Sequence, residues 1–426
     1  MNRYFFLILS FALLLSGCRK KESILTFAVG GASSELDYWE QIISEFENNT
    51  KIKVKILRQP TDTDQRRQSL ATPLKAHKRD PDVFLMDVAW VGQFSASGWL
   101  LPLNDYIKKD NFKINSFFKP VIDQVDIYKR RIVALPVYLD CGLLYFRKDL
   151  LKKYGLPIPE TWGELLKYAE DVQREERKKN PKFYGFVWQG GQYEGLVCTF
   201  LEFTASNNGG IVDKNGNISI DRKENIDALR FMRDLIHKYR ISPPNTYTEM
   251  KEEEVREYFQ NGNACFERNW PYAWQLHQGE KSPVKGKVGI ALLPRFKNGR
   301  NVAALGGWHI GISKFSDKKG EAWRLVKFIL SYKTQKKLAL HLGWNPGRAD
   351  IYDDPEIREK MGQMEILKKA LSHSVARPAV PYYTRISEVI QNYVNGSISG
   401  NIKPSTALKD AQENIEEILK QYEQRD

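Results

Sequence analysis

Histidine is the side chain most often used for metal binding and for acid–base catalysis near neutral pH. The six histidines of this 426-residue chain, at 77, 237, 277, 309, 341 and 373, stand singly and lack the spacing of a metal site. The sequence also lacks the phosphate-binding loop, the dinucleotide-binding glycine pattern, the His-Glu-x-x-His motif and the Gly-x-Ser-x-Gly nucleophile turn. We therefore expect a binding protein rather than an enzyme, with no metal site and no cofactor.

The first eighteen residues indicate export and lipid attachment. Arg3 supplies a positive charge, and residues 4–15 form an apolar stretch that is too short to span a bilayer. The sequence Leu-Ser-Gly-Cys that ends at Cys18 resembles the lipobox of bacterial and archaeal lipoproteins. By that resemblance, residues 1–17 are a lipoprotein signal peptide and the Cys18 thiol carries the lipid; an ordinary secretory peptide is the alternative. We expect an extracytoplasmic protein anchored to the membrane surface.

The composition is that of an ordinary globular chain with two or three domains. Hydrophobic residues make up 42% and charged residues 27%. The net charge is +13, but Lys and Arg alternate with Asp and Glu along the whole chain. We therefore expect no nucleic-acid partner, and relate the charge to an anionic membrane nearby. Cys141, Cys198 and Cys265 are too few for a disulfide scaffold and are predicted to be buried.

The pattern of apolar residues predicts an α/β fold. In the first part of the chain it predicts strands at 24–29, 52–56 and 83–88, with helices at 36–46 and 64–78 between them. The pattern restarts with a strand at 143–146, helices at 161–179, 195–205, 223–239 and 251–260, and strands at 264–267, 287–293 and 308–313. From about residue 318 the chain is predicted to be mostly helical. Two such units indicate two lobes with a cleft between them.

Several sequence blocks carry a family resemblance. The blocks are Gln65–Arg67, Asp82–Trp90, Ser97–Trp99, Ala134–Asp140, Trp188–Cys198, Asn269–Trp274, Leu305–Gly311 and Asn345–Gly347. Through them the chain resembles family 1 extracellular solute-binding proteins of ABC sugar importers, and among them those that bind trehalose and maltose. The joint order of the blocks covers nearly the whole chain after the signal peptide.

The resemblance implies a two-lobed periplasmic-binding-protein-like fold of type II, with discontinuous lobes joined by a three-segment hinge. We place the crossings near Tyr138, Leu305 and Ala339. Lobe 1 is then 22–138 with 306–338, and lobe 2 is 139–305 with 339–426. The implied function is capture of trehalose or maltose between the lobes and its delivery to the transmembrane subunits of the ABC permease. We expect the protein to act as a monomer.

The resemblance also implies a set of sugar-binding residues. They are Glu35, Arg66, Asp87, Tyr138, Asp140, Trp270, Tyr272, Gly307, Trp308 and Arg377. The chemistry is appropriate, because sugar hydroxyls need charged acceptors and forked donors while the C–H face of a sugar packs on aromatic rings. Asp87 also follows a predicted buried strand, which is where ligands bind in open α/β sheets.

Each of these residues has a structural alternative. Asp87 could cap the following helix, and Glu35 could be a favourable charge in the first turn of a helix. Trp270 and Trp308 could belong to the core. Arg66 lies in a Gln-Arg-Arg run that could face solvent, and Arg377 has only the motif to support it.

Other residues are predicted to have no role in the site. Trp90, Trp99 and Trp344 are interpreted as packing residues, and the charged runs at 174–179 and 249–257 as solvated helix faces. A secreted glycosidase remains an alternative function, because paired cleft carboxylates such as Asp87 and Asp140 could act as acid and base. A binding protein for another solute, such as a peptide, is the second alternative.

Overall fold

The structure is a computed structural model that describes residues 24–213 and 215–423. The predicted signal peptide and Cys18 lie outside these residues. The strands are β1 Leu25–Gly30, β2 Val54–Gln59, β3 Val83–Asp87, β4 Ile127–Tyr128, β5 Arg131–Ile132, β6 Leu135–Cys141, β7 Leu143–Arg147, β8 Tyr184–Val187, β9 Ala264–Asn269, β10 Val288–Ala291, β11 Ala303–Ile312, β12 Asn345–Pro346 and β13 Ser374–Val375.

Helices surround these strands and fill most of the C-terminal part of the chain. They are α1 Ser33–Thr50, α2 Thr63–Lys75, α3 Val91–Ala96, α4 Asn104–Lys109, α5 Lys119–Val121, α6 Lys148–Lys153, α7 Trp162–Glu176, α8 Glu194–Ala205, α9 Lys223–His237, α10 Glu252–Gln260, α11 Ala273–His277, α12 Lys319–Ile329, α13 Tyr332–Leu342, α14 Pro355–Lys360, α15 Met364–Ser372, α16 Tyr383–Ile398 and α17 Pro404–Glu423. Within residues 24–213 and 215–423, no helix has the length and apolar character needed to cross a bilayer.

The first sheet has the strand order β12-β6-β11-β3-β1-β2, with β13 paired to one end of β11. Strands β1, β2 and β3 are parallel, and β11 runs antiparallel to β3 and β6. Every residue of β1 and β3 is buried, as the uninterrupted apolar pattern of these segments predicts. The β-α-β-α-β order predicted for this part of the chain is confirmed.

The second sheet is smaller and has the order β10-β7-β9-β8. Helices α8 and α9 pack against one another and against α16, and α17 packs on α16. The mostly helical C-terminal part predicted from about residue 318 is confirmed, and Leu408, Ala411 and Ile415 of α17 are buried against these helices.

The described part of the chain forms two hydrophobic cores, and two long strands, β6 and β11, pass from one to the other. Strand β6 begins among residues of the first core and ends with Cys141 in the second. Strand β11 begins with Ala303 and Ala304 in the second core and continues into the first with Trp308. It starts five residues earlier than predicted, because its N-terminal part extends the first sheet across the gap between the cores. Residues in the middle of β6 and β11 are therefore placed between the two cores.

Candidate functional site

A cavity of about 310 Å³ lies where the two cores face each other. This volume is at the lower end of the range found for small-molecule sites, roughly 300–1,000 Å³. All ten residues that the family resemblance implies for a ligand site line this cavity: Glu35, Arg66, Asp87, Tyr138, Asp140, Trp270, Tyr272, Gly307, Trp308 and Arg377. The fold thus brings together residues that are separated by as many as 342 positions in the sequence.

One row of side chains crosses three neighbouring strands at the floor of this cavity. Trp308 of β11 is in register with Tyr138 of β6 on one side and with Asp87 of β3 on the other. Asp87 also accepts a hydrogen bond from the backbone N–H of Ala89 at 2.9 Å, so it caps the following turn as well as lining the cavity. Its position therefore agrees with both roles considered for it, a cap of the turn after β3 and a residue of the cavity.

Gly307 is needed for the close approach of β6 and β11. Its φ angle is +133°, and a Cβ atom there would lie 2.6 Å from the carbonyl oxygen of Tyr138. A larger residue would therefore push the two strands apart in the middle of the cavity floor.

Arg66 is buried against Trp308 rather than exposed to solvent. Only 4% of the residue is accessible, and its guanidinium carbon lies 4.1 Å from the centroid of the Trp308 ring. Its Nε donates to the carbonyl oxygen of Pro60 at 3.0 Å. Trp90 packs edge-on behind Trp308, with 5.3 Å between the ring centroids. The prediction that Trp90 is a packing residue is confirmed, and the solvent-facing alternative for Arg66 is wrong.

Asp140 is buried and has one oxygen, Oδ1, with no hydrogen-bond partner among the described residues. Burial, together with the nearby charges of Glu35 and Asp87, raises the pKa of Asp140 well above its ordinary value. An unpartnered buried oxygen is costly, and a hydroxyl donor of a ligand would satisfy it.

Glu35 lines the same cavity as Asp140. It accepts hydrogen bonds from the backbone N–H of Ala32 at 2.8 Å and from Nε1 of Trp344 at 2.9 Å. Trp344 in turn stacks on Tyr138, with 3.8 Å between ring centroids. Trp344 is therefore a packing residue, as predicted, but it also lines the cavity and orients Glu35.

The environment of Glu35 predicts a pH dependence of stability. Burial raises its pKa from 4.5 to about 7, although hydrogen bonds from Ala32 and Trp344 oppose the shift. The folded protein therefore retains a proton on Glu35 at pH values where the unfolded chain has lost it. The protonated side chain of Glu35 contributes to the free energy of unfolding, and this contribution is fully present below pH 4.5. It is lost as the pH rises through about 7. Thermal unfolding of the unliganded Glu35→Gln variant should show a flatter pH profile across this interval than that of the unliganded wild-type protein. Parallel profiles would contradict the assignment.

Arg377 is held by two carboxylates of the protein. It donates to Asp87 at 3.0 Å and to Glu194 at 2.7 Å, and its side chain is 2% exposed. Glu194 also accepts from the Tyr383 hydroxyl at 2.5 Å. Arg377 thus connects the end of β3 to the start of α8, and it reaches the cavity as part of a buried charge cluster. Sequence reasoning missed Glu194, although the residue lies inside one of the family blocks.

The start of α10 supplies residues that were predicted to be solvated. Glu252 and Glu253 line the cavity, as does Lys251, which forms an ion pair with Asp62 at the N-cap of α2. The interpretation of residues 249–257 as a solvated face is wrong at this end of the helix. The signal available in the sequence was three consecutive glutamates at a helix start, close to the Asn269–Trp274 block.

The cavity offers aromatic rings, carboxylate acceptors and one buried guanidinium that has no carboxylate partner in the hydrogen bonds described. This combination binds a small polyhydroxylated molecule more readily than an apolar one. Among residues 24–213 and 215–423, no group of three or more His, Cys, Asp or Glu side chains is placed to hold a metal ion.

Comparisons with known proteins agree with this geometry. The family model of bacterial extracellular solute-binding proteins matches residues 32–336. A probable ABC transporter-binding protein of Deinococcus radiodurans is 35% identical over 90% of this chain and 91% of its own length. The maltose-bound MalE3 of T. maritima is 40% identical, covers 92% of this chain and 98% of its own, and superimposes with a TM-score of 0.86.

A second solved structure shows that the ligands of similar proteins vary. An ABC transporter solute-binding protein of Thermotoga lettingae with bound alpha-D-tagatose is 29% identical, with a TM-score of 0.85 over 93% of this chain and 100% of its own. Both structures share the arrangement of two α/β lobes, which confirms the fold expected from the sequence. This chain therefore belongs to the family of bacterial extracellular solute-binding proteins of ABC sugar transporters.

Proposed function

We propose that the protein captures an α-linked glucose disaccharide, maltose or trehalose, in the cavity between the lobes. The observation that carries this proposal is the convergence of all ten predicted residues on one cavity that combines aromatic rings with carboxylates. The 40% identity to a maltose-bound protein supports it. The bound sugar would then be delivered to the transmembrane subunits of an ABC permease.

The chemistry of the cavity fits a disaccharide. Trp270, Tyr272 and Trp308 offer apolar faces for the C–H groups of two sugar rings. The free oxygen of Asp140 and the buried guanidinium of Arg66 can bond hydroxyls, and a hydrogen bond to the charged guanidinium contributes about 1.5–3 kcal/mol. A ligand that uses both sets of contacts gains affinity from both lobes.

We propose that lobe 1 is 22–138 with 306–338, that lobe 2 is 139–305 with 339–426, and that they close on the sugar about a three-segment hinge. The passage of β6 and β11 between the two cores supports this division. A ligand that contacts both lobes stabilises the closed form by its differential affinity for that form. The closed monomer is then the form that the permease recognises.

Calorimetric titration tests this function. We expect maltose or trehalose to bind at or below millimolar concentration, with a rise in the thermal midpoint and with no release of glucose. Maltodextrins, a peptide and a glycerol phosphodiester serve as comparisons. If none of the glucose disaccharides produces heat or a thermal shift, the assignment is wrong. Glucose released over hours, and lost on replacing Asp140 by Asn, would support the glycosidase instead.

We also propose that the exported protein is anchored through a lipid on Cys18, which lies outside the described residues. The lipobox-like sequence before Cys18 and the extracytoplasmic character of the family support this. We expect Cys18→Ala to release the protein from membranes or to leave the precursor unprocessed, as seen by fractionation and gel mobility. Cys198→Ala is the control, since this cysteine is buried in the second core. Unchanged membrane association and mobility of the Cys18 variant would refute the anchor.

A further inference from the structure

Two consecutive glutamates at the start of α10 contact the two aromatic residues that follow β9. Glu252 Oε1 accepts a hydrogen bond from Trp270 Nε1 at 3.4 Å, and Glu253 Oε1 accepts one from the Tyr272 hydroxyl at 2.6 Å. Both aromatic residues lie in the short connection between β9 and α11. The polar tips of their side chains are thus held from a different element, the N-terminal turn of α10.

The remaining contacts of Trp270 involve its ring face, its six-membered ring and its backbone carbonyl group. The guanidinium carbon of Arg268 lies 4.0 Å from the ring centroid. The six-membered ring lies against Gly306, where a Cβ atom would be 3.1 Å away. The hydroxyl of Tyr145 binds the Trp270 carbonyl oxygen at 2.7 Å. The contact to Glu252 fixes the indole N–H edge, which none of these other contacts reaches.

The preceding residue connects the same turn to the opposite wall of the cavity. Lys251 forms its ion pair with Asp62, whose carboxylate also accepts from the backbone N–H of Gln65 at 2.9 Å and so caps α2. The next residue along α2 is Arg66, which packs on Trp308. One turn of α10 is therefore linked to aromatic residues on its own side and to the helix that holds Arg66 on the other side.

We propose that residues 251–253 form a positioning element for the ligand. Glu252 and Glu253 hold Trp270 and Tyr272 in the orientation that stacks on sugar, and Lys251 holds this element against lobe 1 when the cleft is closed. The glutamates act through the aromatic rings. This inference deepens the proposed function and depends on it for the identity of the ligand as a sugar.

Maltose titration of the full exported protein tests the element. Glu252→Ala and Glu253→Ala should each weaken binding about tenfold, whereas Glu252→Gln and Glu253→Gln keep an acceptor oxygen and should stay within about twofold of the wild-type protein. Glu257→Gln is the matched control, because this carboxylate is on the same helix and its side chain is 65% exposed. Alanine variants that bind maltose normally would overturn the proposal.

A sugar-free measurement separates failure of this element from failure of the sugar assignment. The Trp270 indole N–H resonance, assigned with Trp270→Phe, should shift and exchange faster with solvent in Glu252→Ala, but not in Glu257→Gln. This holds even if the wild-type protein binds none of the sugars offered. An unchanged Trp270 resonance in Glu252→Ala would overturn the positioning role. If maltose affinity fell while the resonance stayed unchanged, Glu252 would contact the sugar directly instead of acting through Trp270.

Discussion

Replacing Trp270 by Ala should weaken maltose or trehalose binding by at least about tenfold while the sugar-free protein stays folded. Truncation of a buried aromatic anchor at a binding site costs about 2 kcal/mol or more, which corresponds to about 30-fold in Kd. Trp270 is half-buried and lies in the connection after β9, outside the second sheet, so we expect the sugar-free variant to stay folded. Calorimetric titration measures the affinity. Thermal unfolding of the sugar-free variant, with an unchanged midpoint expected, shows that it is folded.

Solution scattering is the companion experiment for Trp270. Saturating sugar should reduce the radius of gyration of the wild-type protein, and the Trp270→Ala variant should need a correspondingly higher sugar concentration for the same change. Trp99→Phe is a suitable control, because Trp99 packs against Phe94 in the first core and does not line the cavity. Normal binding by Trp270→Ala would remove this residue from the site, and identical scattering with and without sugar would remove the closure mechanism.

Replacing Glu202 by Ala should lower the free energy of unfolding of the second lobe by about 3–5 kcal/mol. Glu202 binds Arg268 through both carboxylate oxygens, at 2.7 and 2.5 Å, and the two side chains are 1% and 0% exposed. Glu202 also accepts from the backbone N–H of Ala304 at 3.1 Å. The variant would leave the Arg268 charge buried without its partner, directly beneath Trp270. Urea unfolding followed by tryptophan fluorescence measures the loss.

Two comparisons make the Glu202 prediction specific. The double variant Glu202→Met with Arg268→Met removes both charges and should be less destabilised than Glu202→Ala, since no unpaired ion remains. Glu175→Ala removes an exposed carboxylate that pairs with Lys178 on the surface, and it should have no measurable effect. A Glu202→Ala protein as stable as Glu175→Ala would show that the buried pair contributes nothing.

The family resemblance implies that the aromatic and acidic residues of the family blocks share one site. Asp87, Tyr138 and Trp308 lie on or next to strands with a clear apolar pattern, so their positions between the lobes follow from the topology of the resembled fold. The structure brings them into one row across β3, β11 and β6. The structural alternatives, a helix cap for Asp87 and a core position for Trp308, are compatible with lining the cavity. A residue at the end of a buried strand can have both roles.

The sequence by itself determined the α/β alternation, because apolar periodicity is a local property of the chain. Its ordered motifs carried the family resemblance, and that resemblance implied the ten residues that line the cavity. Only the tertiary structure decided the roles of Glu194, Glu252 and Glu253. A run of charges at a helix start has the same appearance whether it faces solvent or a cleft, and burial depends on which element lies opposite. Arg377, for example, is 183 residues from its partner Glu194 in the sequence. Contacts over such distances arise from the packing of the two lobes, which no local pattern encodes.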